Sequence, residues 1–215
     1  MRASVAMQNS NNKTAVATLC PECGFCCNGI IFSDVKLRPC DLKAVAASGL
    51  SVRKNRLVQP CPAFDGKLCR MYAQRPGPCR EFNCLLVQQM EVGTLRAPEA
   101  LRHIRAAKAL VNAVESILAE LGQTDTALPL SHRFSNVMAE PLDLSGDDRV
   151  LRLRRQLATA VDKLARRLAR DFVADNKRRR ERLRSIHQAQ TLLTKEYGIA
   201  PSERLRHDQA RHDVE

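Results

Sequence analysis

Apolar residues recur three and four apart through the middle of the chain: Ala97, Ala100, Ile104, Ala107, Val111, Val114, Leu118 and Leu121. On an α-helix these positions form one seam. The spacing therefore predicts a helix over residues 96–122 that packs on a partner helix, with Gly122 as its stop. Val150, Leu153, Leu157, Val161, Leu164, Leu168 and Phe172 keep a similar spacing. They predict a second long, basic amphipathic helix over 149–197, closed by Gly198 and Pro201. Lys163, Arg166, Arg167 and Arg170 fall on its other faces. Residues 123–148 hold two prolines, several Ser and Asp and no clean period, which reads as a loop or linker.

Ahead of residue 96 the long period is lost and only short elements are legible. Ile30-Ile31-Phe32 reads as a strand. Residues 40–48 read as a short helix with Asp41 in its first turn and Gly49 as its stop. Asp65-Gly66, lying between two short runs, predicts a tight hairpin. Arg75-Pro76-Gly77-Pro78 is a turn, and a helix is expected from Cys79, with Phe82, Leu86 and Met90 along one side. Residues 1–19 read as a disordered tail and 198–215 as a charged tail.

Composition limits what these elements can build. Aromatic residues are 4% of the chain and tryptophan is absent, so no large aromatic core is expected. Nothing approaches the roughly 20 consecutive apolar residues of a membrane span. The N-terminal residues also lack the unbroken apolar run of a signal peptide, so a cytoplasmic location is expected. The net charge is +12. Residues 147–215 hold 18 Lys or Arg against 11 Asp or Glu. Such a surplus favours nucleic acid, anionic lipid or acidic proteins without choosing among them. The run Lys177-Arg178-Arg179-Arg180 invites a nucleic-acid reading, but no aromatic residue is interleaved with it for stacking. Asp162, Asp171, Asp175 and Glu181 also dilute it. A solvated, salt-bridged helix face is the plainer reading. The helices also offer a surface for a protein partner or a second copy of the chain. The five histidines are scattered, and no Gly-x-Gly fingerprint or phosphate loop exists, which leaves no sign of a nucleotide-dependent enzyme.

The chemistry is concentrated in the cysteines. All nine lie between Cys20 and Cys84. In a reducing compartment such clustering points to metal ligands rather than disulfides. Cys20, Cys23 and Cys26 follow one another at two-residue gaps, so a tight turn can bring their sulfurs to one side. Gly24 relieves crowding within that turn. Cys26 and Cys27 are adjacent, and their side chains tend to diverge. They are expected to serve different metals, or one of them to be a non-ligand. A second group comprises Cys61, Cys69, Cys79 and Cys84. A helix start at Cys79 would favour its thiolate through the helix dipole. Cys84, five residues on, would face another side of that helix and is the weaker ligand. Cys40 stands apart from both groups and reads as a small packing residue. Thiolates suit both zinc and iron–sulfur sites. Three cysteines in C-x-x-C-x-x-C with a remote Cys61-Pro62 echo the ferredoxin ligand pattern, which places a four-iron cluster slightly ahead of zinc. Tyr72, Arg75 and Arg80 sit among these ligands. They could bind an anion or tune a cluster, but the plainer reading has Tyr72 packed and the arginines paired with Asp65 or Glu81.

The blocks Cys20-Pro-Glu-Cys-Gly-Phe-Cys-Cys27 and Cys61-Pro-Ala-Phe-Asp-Gly-Lys-Leu-Cys-Arg-Met-Tyr72-Ala-Gln-Arg75-Pro76-Gly-Pro-Cys79-Arg80 together resemble the YkgJ-type cysteine-cluster family. That family is described as a zinc- or iron-chelating domain, and a related cluster occurs in flagellin lysine methylases. The resemblance implies that Cys20, Cys23, Cys26, Cys27, Cys61, Cys69 and Cys79 are metal ligands, with Cys84 as an addition. It implies an iron–sulfur oxidoreductase or an accessory protein, without naming a reaction. Cys40 has no place in the pattern, and residues 96–215 are not explained by it. The expected architecture is mainly α: a small, loop-rich cysteine module (20–95), stapled by its metal, followed by two long helices. The expected function is metal binding, with redox activity if the metal is an iron–sulfur cluster. The alternative is a zinc-stabilised interaction protein whose basic C-terminal helix binds nucleic acid or an acidic partner.

Overall fold

A computed structural model describes residues 19–141 and 148–173. Residues 1–18 of the expected N-terminal tail, the stretch 174–197 of the second long helix with its basic run 177–180, and the tail 198–215 lie outside these residues; Leu19, the last residue of the expected tail, is instead helical and buried.

The chain is mainly α-helical, with one two-stranded sheet among the described residues. The seam read from the sequence is helix α4 (Ala97–Glu120), numbered after the three short helices that precede it. Its buried residues are Ala100, Ile104, Ala107, Val111, Val114 and Leu118, and Gly122 follows it at φ +79°. Its partner is α6 (Asp148–Asp171), which buries Leu153, Leu157, Leu164 and Leu168. These two helices make the most extensive contact in the fold. Each fully buried Leu in such a seam contributes about 1.5–3 kcal/mol over an exposed one.

Val150 departs from the expected stripe, being 41% exposed. Charged groups lie between the apolar positions of α6, and each described one that is buried has a partner. Arg154 donates from Nη1 to the Glu140 carbonyl at 2.6 Å. Asp162 pairs with Arg166 one turn on. Asp171 accepts a hydrogen bond from Arg170 Nε at 2.8 Å and forms an ion pair with Arg167, and His103 of α4 lies 2.9 Å from it through Nδ1.

The stretch expected to be a loop or linker contains a helix, α5 (Leu130–Ala139). Its apolar positions Leu130, Phe134 and Val137 are buried beside Arg133, which reaches Glu115 Oε1 at 3.4 Å and the Gln123 carbonyl at 3.2 Å.

The cysteine module precedes α4. Strands β1 (Asp34–Lys36) and β2 (Arg56–Val58) pair antiparallel, with Val35 opposite Leu57. The strand expected at 30–32 is therefore not formed there; pairing starts two residues later. Helix α1 (Pro39–Ala47) fits the expected 40–48, and Gly49 follows it at φ +73°. The hairpin at Asp65-Gly66 is present as a four-residue turn. Phe64 bridges Cys69, and Asp65 Oδ1 accepts the Lys67 and Leu68 amides at 2.9 and 2.6 Å. Leu37, Val45, Leu57, Cys61, Ala63 and Met71 form a small core beneath these elements.

The helix expected from Cys79 is instead two. Helix α2 (Gly77–Glu81) and α3 (Leu85–Glu91) are separated by extended backbone at Phe82 and Cys84. Phe82 turns to meet Phe32 edge-on, with ring centroids 4.9 Å apart. Cys84 becomes the N-cap of α3 instead of a residue on a continuous helix face.

Candidate metal centre

The module starts with a helical turn over residues 19–23, which places Cys20 and Cys23 one turn apart on the same side. Gly24 then reverses the chain at φ +72°, and its amide bonds to the Cys20 carbonyl at 3.0 Å. A Cβ at this position would lie 2.8 Å from Phe64 Cζ, so both the backbone angle and the space require glycine. Phe25 is buried against Phe172 at the end of α6, with centroids 5.4 Å apart. The Leu85 amide bonds to the Phe172 carbonyl at 3.1 Å. The end of α6 therefore holds both the Cys20–Cys27 segment and the start of α3, beside Cys84.

Cys27 lies on the other side of this turn. Its carbonyl accepts the Cys61 amide at 2.7 Å. Cys61 is buried, and Cys27 and Cys69 pack against the same small core. The Phe64 amide bonds back to the Cys61 carbonyl at 2.9 Å, which, with the Phe64–Cys69 bridge, folds Cys69 towards Cys61. Cys79 enters on α2. That helix is tied to α1 by Asp41, a buried carboxylate that accepts the Gly77 amide at 2.9 Å and the Arg38 amide at 3.3 Å. Gly77 is closely fitted there, with room for no Cβ nearer than 3.0 Å to Arg38 Nη1.

The strongest electrostatic couplings follow the same grouping, although Cys27 also acts on Cys26 and Cys20 on Cys27. Burial pushes the Cys23 thiol up to about 12, with the charges of Cys84 and Cys20 adding to the rise. Burial raises Cys26 well above its ordinary value, and Cys23 and Cys84 are its strongest like-charged neighbours. Burial raises Cys84, helped by Cys20. Cys20 is exposed as a residue, yet loss of water at its sulfur raises it too, against the pull of Arg75. In the second neighbourhood Cys27 is raised to about 12, by burial first and then by the charges of Cys61, Cys69 and Cys79. Cys61 is raised by burial and by Cys69. Cys79 rises to about 11 through burial, then Cys61 and Cys69, with Arg75 opposing.

The helix-dipole expectation for Cys79 is thus overturned. Cys79 is the third residue of a five-residue helix, and burial, then Cys61 and Cys69, raise its thiol instead of lowering it. With all of these thiols held above neutrality, binding of a cation must displace their protons.

All nine cysteines are free thiols. Among the described residues, no group of three or more Cys, His, Asp or Glu side chains is gathered closely enough to hold an ion as placed. Each neighbourhood is therefore a set of converging segments rather than a closed shell, and side-chain rotation is needed to complete it. The donor chemistry fits a soft or borderline metal: four thiols on each side and a small apolar core to exclude water.

Cys40 belongs to neither set. It is exposed at the second position of α1, where a buried packing residue was expected. The Asp65 and Glu81 pairings also differ from expectation. Glu81 pairs through both oxygens with Arg38, and Asp65 caps its own turn. Arg75 lies over the Tyr72 ring, 3.8 Å from its centroid, and donates to the Tyr72 carbonyl. Tyr72 is 58% exposed, so it is not a packing residue. The positioning role of Phe172 was not legible in the sequence, because nothing local to Cys84 refers to a residue 88 positions away.

No helix among the described residues is long and apolar enough to cross a membrane. No similarity to a curated protein or to a solved structure was found. The family model CxxCxxCC, described as a "putative zinc- or iron-chelating domain", matches residues 19–99, which span every cysteine of the chain. The segment that holds both thiol neighbourhoods is thus similar to the CxxCxxCC family.

Proposed function

We propose that this protein binds metal through the thiolates of Cys20, Cys23, Cys26, Cys27, Cys61, Cys69, Cys79 and Cys84, and that the metal is iron in an iron–sulfur cluster. The observation that carries this reading is the crowding of these eight thiols, each within electrostatic reach of others of the group, while Cys40 stands outside at the surface. Clustered thiols that lose water at their sulfurs are costly to ionise, and a cation removes that cost. The iron–sulfur reading is supported by the C-x-x-C-x-x-C run together with the remote Cys61-Pro62. In two-cluster ferredoxins the Cys-Pro cysteine serves a different cluster from the three that precede it, and here too Cys61 lies with Cys27 rather than with Cys20, Cys23 and Cys26.

Anaerobic purification with metal and sulfide analysis tests this directly. Iron with acid-labile sulfide and broad visible absorption is the expected result. Colourless, stoichiometric zinc would keep the ligand set and remove the redox proposal. A folded chain that holds neither metal in reducing buffer would overturn the reading. Replacing Cys23 or Cys61 by Ser should lose metal, whereas Cys40→Ser should leave the content unchanged.

A further inference from the structure

We infer that the module carries two separate four-thiolate metal centres, one formed by Cys20, Cys23, Cys26 and Cys84 and the other by Cys27, Cys61, Cys69 and Cys79, joined through the Cys26–Cys27 peptide bond. This rests on the metal-binding reading above and sharpens it.

The first centre is assembled by α6. Phe172 packs on Phe25 and accepts the Leu85 amide, so two segments about 60 positions apart in sequence are drawn to one point. Cys20, Cys23 and Cys26 lie on one of them and Cys84 caps the helix on the other. The second centre is assembled by the sheet and α1. The Cys61 amide on the Cys27 carbonyl, the packing of Cys27, Cys61 and Cys69 on one apolar cluster, and the Asp41–Gly77 bond behind Cys79 bring its four members together.

The two assemblies use different supports, and the chain crosses between them at Cys26–Cys27. Side chains of adjacent residues tend to diverge, so one ion would bind both Cys26 and Cys27 only with distortion of the turn. Each set closes at four sulfurs, the number that a tetrahedral zinc site or a four-iron cluster takes. Four thiolates leave either centre net negative. Arg75 acts on Cys20 in one and on Cys79 in the other, and Lys108 acts on Cys23, so cations stand where that charge would be offset.

Cadmium is the probe, because it binds thiolates strongly and is countable by native mass spectrometry. The reduced full-length chain should take up two cadmium ions. Cys84→Ser and Cys69→Ser should each reduce uptake from two ions to one, the double variant should abolish it, and Cys40→Ser should retain two. Misfolding of a variant is separated from ligand loss by a second measurement on the unaltered chain. At one cadmium per chain, alkylation of the unprotected thiols should leave protected cysteines in fours drawn from a single set. Protection mixed across the sets, or loss of all metal from either single variant, would overturn the two-centre division while leaving metal binding intact. An unaltered chain that takes up no cadmium would overturn the metal-binding reading itself.

Discussion

At the scale of single residues, the site depends on groups that are not ligands. Gly24 stands in the left-handed region, which costs an L residue about 1–2 kcal/mol, and a Cβ would press on Phe64. Gly24→Ala should therefore lower the melting temperature and weaken cadmium binding in a chelator competition. An unchanged affinity would show that the Cys20–Cys27 turn can form in another way. Asp41 matters for the other set. Its two carboxylate oxygens satisfy the Gly77 and Arg38 amides, and removing such a buried acceptor costs about 1–3 kcal/mol. Asp41→Ala should speed alkylation of Cys79 in the metal-free chain while leaving Cys84 unaffected. Equal acceleration at both would mean general loosening rather than a local strut. Glycine in the cysteine loop was readable from the sequence as relief of crowding. Asp41 was readable only as a residue of a helix's first turn, because its partner Gly77 lies 36 positions away and has no side chain to signal the contact.

Among elements, the helices that repeat an apolar seam were the legible ones. The buried positions of α4 are those its three-and-four spacing marks. Shorter helices were misread for identifiable reasons. In α5 only three apolar positions, Leu130, Phe134 and Val137, mark the buried face, and the fourth buried residue is the charged Arg133, so the stripe is too short to stand out between two prolines. Beyond Cys79 the apolar residues Phe82, Leu86 and Met90 do keep a helical spacing, yet Phe82 leaves the helix to pack on Phe32. That tertiary contact outweighs local periodicity and makes Cys84 the N-cap of a separate helix, which is where the proposed first set takes it from. The contact between α4 and α6 carries a prediction of its own. Burial works to raise the Asp171 pKa, but the hydrogen bonds from Arg170 and His103 and the charge of Arg167 outweigh it and hold the carboxyl below its ordinary range. A depressed folded pKa means that Asp171 stabilises the fold above its unfolded value, about 3.9. That contribution is lost as pH falls from there through the folded pKa. Asp171→Asn should lower stability at neutral pH and flatten its decline on acidification, measured by urea unfolding between neutral pH and pH 3. A variant as acid-sensitive as the original chain would place the titrating group elsewhere.

The whole molecule joins two parts that are stabilised differently. The helical pair rests on a long apolar seam, with α4 and α6 spanning 24 residues each, and neither helix carries a cysteine. The cysteine module has one cluster of six buried residues, two of them the small Cys61 and Ala63, and its other buried apolar residues, Phe25, Ile31, Leu86, Val87 and Met90, lie outside that cluster. Metal ligation is the interaction available to join these groups, since it holds four chain segments at once and is absent from the unfolded state. The sequence made this imbalance visible through scarce aromatics and clustered thiols. It did not reveal that the two parts meet at Phe172, because Phe172 reads as one more apolar position on the seam. Removing metal with a strong chelator should therefore act unevenly. Amide protection should collapse across 20–84, while α4 and α6 keep most of their helical circular dichroism and of their exchange protection. Phe172→Ala in the metal-loaded chain should release Cys84 preferentially, increasing its alkylation while Cys61 and Cys69 stay protected. If the chelator instead unfolded α4 and α6 together with the module, the seam would not suffice alone, and the metal would hold the entire fold rather than one end of it.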